Sequence, residues 1–268
     1  MPDVYNQITE LDPAVAGQLA EAMELRARDP AQQAMLAAYL DGLDLPDRTA
    51  VVEIGCGTGA ISRVLAARPG VAEVTGVDPS PVFLDRAREL GAGVANLSFR
   101  QGDGRDLPLP DGSFGLAVLH TVLSHVPGPE VVLAQAFRVL RPGGALAVFD
   151  GDYNTVSVAT GPADPLQACV DAFVQGSCHD PWVIRRLPGL AAAAGFTGIG
   201  LRSHGYAQIT EPAYLLSLID RGTDALAAAG RAGPELAQAL KSEGRRRAAA
   251  HSFYGYIAYA SLTARKPS

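Results

Sequence analysis

The chain has 268 residues, of which 48% are apolar, so it is long enough to bury the core of one large domain. Its formal charge of −6 opposes binding to a nucleic-acid backbone. No apolar run approaches the roughly 20 residues that span a bilayer, and the first residues are acidic, so we expect neither a membrane partner nor an export signal.

The cysteines also limit the possibilities. Cys56, Cys169 and Cys178 are odd in number and show no metal-ligand spacing. We therefore predict neither a disulfide framework nor a metal site, and we expect the reducing environment of the cytoplasm. The composition does not indicate an oligomeric state.

The first half of the chain alternates between helical and strand-like patterns. Apolar residues recur at three- and four-residue intervals from about residue 13 to 43, with Asp29-Pro30 between two predicted helices. Strands are then predicted at 50–54, 72–77, 97–101, 115–119 and 145–149, and helices at 61–67, 81–90 and 129–140. This alternation predicts right-handed crossovers and a parallel sheet covered on both faces.

The pattern changes after Asp150. A long loop precedes helices at about 166–175 and 183–194, a strand near 195–206, helices at 212–229 and 235–250, and a last strand at 254–265. We expect the last two strands to pair antiparallel. The predicted organisation is a pair of N-terminal cap helices in residues 1–45 and one domain in residues 46–268, with a helical cap insertion at about 205–250.

The stretch "VVEIGCGTGA" contains the first functional signal. Gly55, Gly57 and Ala60 satisfy a nucleotide-binding fingerprint whose third position accepts alanine. Asp78 ends the second predicted strand 23 residues after Gly55, where a carboxylate can accept the hydroxyls of an adenosine ribose. A tight turn with glycines for geometry alone is the simpler alternative, and the pattern serves NAD and S-adenosylmethionine equally well.

Four motifs in order distinguish these cofactors. "EIGCGTG", "GVDPS", "GDGRDLPLPDGSFGLAVLH" and "FRVLRPGGALAVFD" together resemble the class I S-adenosylmethionine-dependent methyltransferases, especially the small-molecule branch with the ubiquinone and menaquinone methyltransferases. The resemblance covers about residues 50–150. It implies an α/β, Rossmann-like, seven-stranded and mostly parallel sheet whose last strand is antiparallel.

The resemblance also implies a set of cofactor-binding residues. Glu53 would face the ammonium group of S-adenosylmethionine, Asp78 would bind the ribose hydroxyls, and Asp103 would accept from the adenine amino group. The full implied set is Glu53, Gly55, Gly57, Gly59, Asp78, Asp103 and Gly104.

Other polar and aromatic residues are candidates for the acceptor side. The resemblance places His120, just after the fourth strand, beside the methionine portion of the cofactor, and we regard it as the candidate general base. His125 and Trp182 are more simply explained by packing. Tyr5 is a candidate lid residue.

We therefore predict an enzyme that methylates a small, apolar metabolite, such as a natural-product intermediate, at oxygen, nitrogen or carbon. A different reading is an enzyme that binds S-adenosylmethionine but catalyses a cyclisation or dehydration without methyl transfer. A nicotinamide-dependent oxidoreductase and a catalytically silent binding protein are two further possibilities.

Overall fold

A computed structural model describes residue 8 and residues 12–268. The strands are β1 (Thr49–Ile54), β2 (Val71–Asp78), β3 (Leu97–Gln101), β4 (Phe114–His120), β5 (Leu140–Ser157), β6 (Thr197–Gln208) and β7 (Gly255–Arg265). The helices are α1 (Pro13–Arg28), α2 (Pro30–Leu40), α3 (Ala60–Ala66), α4 (Pro81–Leu90), α5 (Pro129–Val139), α6 (Pro165–Ser177), α7 (Val183–Ala193), α8 (Ala213–Ala228) and α9 (Pro234–Ala249).

All seven strands form one sheet in the order β3-β2-β1-β4-β5-β7-β6. The first five pair in parallel, whereas β7 lies between β5 and β6 and runs antiparallel to both. The predicted fold class is therefore confirmed. The strand order reverses between β1 and β4, and in open α/β sheets ligands bind at the carboxyl ends of the strands at this point.

The central strands are buried because helices cover both faces of the sheet. Every residue of β4 (Phe114–His120) is buried, as its continuous apolar sequence requires of a strand with two covered faces. Polar side chains at the carboxyl ends of such strands therefore lie at the edge of an apolar core.

The N-terminal helices are attached to the far end of the sheet through one carboxylate. Asp29 ends α1 and caps α2, since its Oδ1 accepts hydrogen bonds from the backbone N–H groups of Ala31 and Gln32. Its Oδ2 accepts from the Tyr206 hydroxyl at 2.9 Å and from the Gln208 amide at 3.1 Å. The junction between α1 and α2 therefore lies against β6.

The remaining cap is a layer formed by α6, α8 and α9. Helices α6 and α8 approach so closely that a Cβ on Gly222 would lie 1.8 Å from the carbonyl oxygen of Cys169. Residues 205–208 of the predicted insertion belong to β6, and the inserted helices themselves occupy residues 213–249. Within the described residues, none of these helices is long and apolar enough to cross a membrane.

Candidate functional site

The glycine turn after β1 forms the floor of the main cavity. Gly55, Gly57 and Gly59 all have positive φ angles, of 73°, 51° and 71°, a conformation that strongly favours glycine. A Cβ on Gly55 would lie 2.6 Å from Val122 Cγ2, and one on Gly57 would lie 2.9 Å from Met23 Sδ. Glycine is therefore required here both by the backbone conformation and by the close approach of neighbouring side chains.

Helix α1 is anchored directly onto this turn. The Thr58 hydroxyl donates a hydrogen bond to Glu24 Oε1 at 2.6 Å, and the Arg63 guanidinium donates to both oxygens of the same carboxylate at 2.9 and 2.8 Å. A charge-assisted, bidentate pair of this kind is stronger and more directional than a neutral hydrogen bond. The N-terminal cap and the glycine turn therefore form one connected structure.

Glu53 lies at the end of β1 with only 2% of its surface exposed. Its Oε2 accepts a short hydrogen bond from the Ser62 hydroxyl. Burial raises the pKa of this carboxyl group to about 8, and the nearby Asp78 carboxylate also raises it. Glu53 is therefore mostly protonated at neutral pH until a cation comes close to it.

Asp78 lies at the adjacent end of β2. Its Oδ2 accepts from the Gly57 N–H at 2.8 Å and its Oδ1 accepts from the Ser80 N–H at 2.9 Å. Burial raises the pKa of the carboxyl group to about 6, whereas these two backbone hydrogen bonds oppose the rise. Each carboxylate oxygen can accept a further bond, so Asp78 can still bind a hydroxyl group.

The structure brings most of the predicted site residues together. One cavity runs from the glycine turn to the cap, and it is lined by five of them: Glu53, Gly55, Gly57, Asp78 and His120. The remaining three, Gly59, Asp103 and Gly104, are not among its lining residues.

The two glycines outside the cavity have packing roles. A Cβ on Gly59 would lie 2.6 Å from Phe99 Cζ, and one on Gly104 would lie 2.9 Å from Ile54 Cγ2. Both positions therefore allow a backbone segment to approach the sheet closely. Their contacts with a cofactor stay predictions.

Asp103 is occupied by a neighbouring cation. Its two carboxylate oxygens accept hydrogen bonds from the Arg105 side chain at 2.6 to 3.2 Å. Hydrogen bonding to Arg105 lowers the pKa of this half-exposed carboxyl group. The pairing of Asp103 with Arg105 does not test the predicted hydrogen bond from the adenine amino group to Asp103, which stays a prediction.

His120 is buried where β4 ends, between two aromatic rings. Its Nδ1 lies 3.0 Å from the Tyr39 hydroxyl oxygen, and its ring stacks on Phe149 with the ring centroids 4.6 Å apart. Burial lowers the pKa of the imidazole well below 6.5, and the positive charge of Arg26 lowers it further. The ring is therefore neutral at physiological pH, and either nitrogen can carry the single proton.

A second histidine lines the cavity next to a buried acid. His125 contacts the Tyr153 ring edge to face, with the ring centroids 6.0 Å apart. Asp150 accepts hydrogen bonds from the Ser124 backbone and hydroxyl groups. Burial raises the pKa of Asp150, whereas the nearby His125 side chain and the hydrogen bonds from Ser124 lower it.

The cap end of the cavity is aromatic and contains cations. Tyr153, Phe173 and Tyr214 line it, and the Arg221 guanidinium lies 4.6 Å from the centroid of the Phe173 ring. Gln32 also lines the cavity and is 6% exposed. These side chains come from α2, β5, α6 and α8, and only their arrangement in space identifies them as one surface.

Sequence reasoning missed three polar residues that line the cavity. Arg26, Gln32 and Arg221 lie on helices that the sequence predicts as a cap, with no chemistry assigned to them. A polar residue within the apolar face of a predicted helix is the one signal that could have identified them. Trp182 lies outside the cavity lining, 42% exposed, with the Arg185 guanidinium 4.4 Å from its ring centroid. Tyr5 lies outside the described residues.

Residues 52–148 match a family described as methyltransferase domain. A 2-methyl-6-phytyl-1,4-hydroquinone methyltransferase of Synechocystis sp. is 40% identical over 114 residues, covering 42% of this chain and 36% of that protein. The Bacillus subtilis YcgJ protein has a TM-score of 0.62 and 17% identity, over 87% of this chain and 98% of that one. The 4+2 cyclase SpnF has a TM-score of 0.61 and 23% identity, over 100% of this chain and 98% of that one.

The predicted resemblance is confirmed: residues 52–148 match the methyltransferase-domain family, and the chain is similar to quinone methyltransferases. The structural neighbours show the same fold. The chain spans between 36% and 53% of the length of the curated relatives it matches.

Proposed function

We propose that this protein transfers a methyl group from S-adenosylmethionine to a small metabolite. The observation that carries the proposal is a cavity with two different ends. At one end two buried carboxyl groups, Glu53 and Asp78, lie beside the glycine turn, and at the other end aromatic side chains form a pocket. The methyltransferase-domain match over residues 52–148 supports it.

The groups at the glycine turn fit the chemistry of S-adenosylmethionine. Glu53 would pair with the ammonium group and Asp78 would accept from the ribose hydroxyls, while the glycines leave room beside the backbone. Arg26 lines the same cavity and donates a hydrogen bond to Thr121 Oγ1 at 2.7 Å, so it can offer a cation to the ligand's carboxylate. Gly59, Asp103 and Gly104 complete the proposed set toward the adenosine.

When bound, S-adenosylmethionine would supply its sulfonium methyl group to a nucleophilic acceptor atom in line with the carbon–sulfur bond, with S-adenosylhomocysteine as the leaving group. The chain's task is to align the acceptor and to exclude water, because the two reacting atoms must approach along one axis. Residues from α1, α2, α6 and α8 line the cavity above the glycine turn and can exclude water there.

We propose His120 as the proton acceptor when the acceptor atom needs one. This role requires the tautomer in which Nδ1–H donates to the Tyr39 hydroxyl oxygen, which leaves Nε2 free to accept. By accepting that bond, Tyr39 would act as a positioning residue that holds the imidazole ring, although its hydroxyl group can also donate to the other tautomer.

We place the protein in the cytoplasm and its acceptor among small, largely aromatic or apolar metabolites. The lining by Tyr153, Phe173 and Tyr214 supports an acceptor with a flat apolar body. A nicotinamide enzyme is less consistent with the fold, since a dinucleotide-binding sheet continues with a second set of parallel crossovers, whereas this one ends with the antiparallel β7.

Calorimetric titration with S-adenosylmethionine, S-adenosylhomocysteine and NAD tests the cofactor. We expect binding of the first two and not of NAD. Incubation of the purified chain with S-adenosylmethionine and a panel of phenols and hydroquinones should then release S-adenosylhomocysteine. The proposal would be contradicted if neither S-adenosylmethionine nor S-adenosylhomocysteine bound. Conversion of an acceptor without release of S-adenosylhomocysteine would identify a non-methylating enzyme.

A further inference from the structure

Arg221 is a cation that faces the cavity with no counter-ion among the described residues. Its guanidinium stacks on Phe173, and it forms no ion pair or hydrogen bond with another residue in the described part of the chain. The neighbouring acids of α8 are already occupied, because Asp220 binds Arg245 at 2.7 Å and Asp224 binds Lys241 at 2.5 Å. Helix α8 therefore directs these acids toward α9 and leaves Arg221 toward the cavity.

A second polar side chain lines the same cavity. Gln32 is 6% exposed, and its Nε2 makes no hydrogen bond of normal geometry among the described residues, although the amide lies close enough to the Tyr259 hydroxyl group to oppose the rise in the pKa of that group. A ligand oxygen could therefore accept from Gln32 in place of this weak contact with Tyr259.

The distribution of charge in the cavity distinguishes its two ends. Among the described lining residues the acids are Glu53 and Asp78, and both lie at the glycine turn. The arginines are Arg26, which is bonded to Thr121 beside the end of β4, and Arg221 under the cap. Within the described lining, the cap end therefore offers a cation and aromatic faces without a carboxylate of its own.

We propose that the methyl acceptor is an aromatic acid, whose ring lies between the aromatic side chains of the cap and whose carboxylate is bound by Arg221. A planar guanidinium is suited to this role because it can donate two parallel hydrogen bonds to a carboxylate. Gln32 Nε2 supplies a further donor to an oxygen of the same ligand. This inference rests on the proposed methyl transfer and narrows its acceptor from apolar to aromatic and anionic.

Two probes of nearly the same shape, of which only the first carries a carboxylate, test the proposal: 2-naphthoate and 2-naphthamide. Their dissociation constants are measured by calorimetry, with and without saturating S-adenosylhomocysteine, for the wild type and for Arg221→Gln, Arg221→Lys and Arg231→Gln. Arg231 is exposed and outside the cavity lining, so its variant removes the same charge without touching the site.

We expect the wild type and Arg231→Gln to bind naphthoate at least tenfold more tightly than naphthamide, a difference of about 1.4 kcal/mol. Arg221→Gln should abolish this preference and Arg221→Lys should keep part of it, with melting temperatures and S-adenosylhomocysteine affinity unchanged. Equal binding of the two probes by the wild type, binding of neither, or a preference that survives in Arg221→Gln would each overturn the inference. Failure of S-adenosylhomocysteine to bind would instead contradict the proposed function, and the titrations without it would still report on Arg221.

Discussion

The two ends of the cavity are built in different ways. At the glycine turn, the ligand-facing groups come from two neighbouring parallel strands, and backbone hydrogen bonds hold them: Asp78 accepts from both Gly57 and Ser80. At the cap end, the groups come from helices far apart in the chain. There the Arg221 guanidinium has no hydrogen-bond partner among the described residues, and the Gln32 amide nitrogen has only a weak contact with the Tyr259 hydroxyl group.

The backbone determines the shape of the cavity at the glycine turn, whereas individual side chains determine it at the cap end. The geometry of the glycine turn follows from strand order and positive φ angles, so any sequence that forms this fold with these residues produces the same pocket. The cap end depends on individual side chains of α2, α6 and α8, which can change without disturbing the sheet. We therefore expect the cofactor to bind at the first end and the methyl acceptor at the second.

Replacement of His120, which lies where the two ends meet, should have the largest effect. His120→Ala should lower the turnover number by roughly 10² to 10⁴ if the imidazole accepts a proton in the reaction. The affinity for S-adenosylmethionine should change little, and Tyr39→Phe should give a smaller loss because it only removes the bond that holds the imidazole ring. Steady-state rates at saturating cofactor measure both variants.

The protonation state sharpens this test. Because burial lowers the pKa of His120 well below 6.5, its basic form is complete at neutral pH, and activity should fall only as the pH drops through that lowered pKa. His125→Ala is the matched comparison, since His125 lines the same cavity beside the Asp150 carboxylate. Normal turnover in His120→Ala with a large loss in His125→Ala would transfer the proposed role to His125.

The second prediction concerns the buried acid at the glycine turn. The pKa of Glu53 rises from 4.5 to about 8 on folding, so between these values the unfolded chain has lost a proton that the folded protein keeps. The folded state then binds more protons, and its stability falls as pH rises through this window. In Glu53→Gln the free energy of unfolding should lose this pH dependence, which is on the order of a few kcal/mol across the window. The variant should therefore be more stable than the wild type at about pH 8.

Urea unfolding at about pH 5, 6.5 and 8 measures the effect. Glu73→Gln is the control, because Glu73 is exposed on the adjacent strand β2. Part of the slope should persist between about pH 4 and 6, since the pKa of Asp78 is also raised, from 3.8 to about 6. Parallel stability curves for Glu53→Gln and the wild type would show that Glu53 is ionised in the folded protein.

The third prediction tests the two acids assigned to the adenosine. Asp78→Ala should weaken S-adenosylmethionine binding by about 1.5 to 3 kcal/mol, because it removes charge-assisted hydrogen bonds to the ribose. Asp103→Ala should have a smaller effect, since Asp103 is half exposed and bound to Arg105. Calorimetric titration of both folded variants decides the order, and an unchanged dissociation constant for Asp78→Ala would place the ribose elsewhere.

The same contrast explains which features could be predicted from the sequence. The alternation of strands and helices, the antiparallel pairing of the last two strands and the placement of Gly55, Gly57 and Asp78 follow from apolar periodicity and local motif spacing, whereas the seven-stranded sheet and the place of Glu53 come from the family resemblance. The packing role of Gly59 depends on Phe99, and the pairing of Asp103 with Arg105 depends on rotamers, so spacing alone does not distinguish them from ligand contacts. Arg221 reaches the cavity only because α8 packs on α6, a tertiary contact that helical periodicity does not specify.

The last and smallest expected effect is a difference in dynamics between the sheet and the cap. Helix α9 buries few residues, among them Leu240 and Gly244, whereas every residue of β4 is buried. Local opening is easier where few apolar contacts must be broken, so amides of α9 should exchange hydrogen faster than those of β1 and β4. S-adenosylhomocysteine should slow exchange mainly in α1, because Glu24 connects that helix to Thr58 and Arg63 at the glycine turn.

An aromatic acid added afterwards should slow exchange in α6 and α8 instead, because Phe173 and Arg221 belong to the acceptor end. Mass-spectrometric exchange with S-adenosylhomocysteine alone, then with 2-naphthoate added, separates the two responses. If S-adenosylhomocysteine alone slowed hydrogen exchange both in α1 and in α6 and α8, the cap would close as one unit on the cofactor. The two ends would then be coupled, and variants at Arg221 should change the affinity for S-adenosylhomocysteine as well as for the acid.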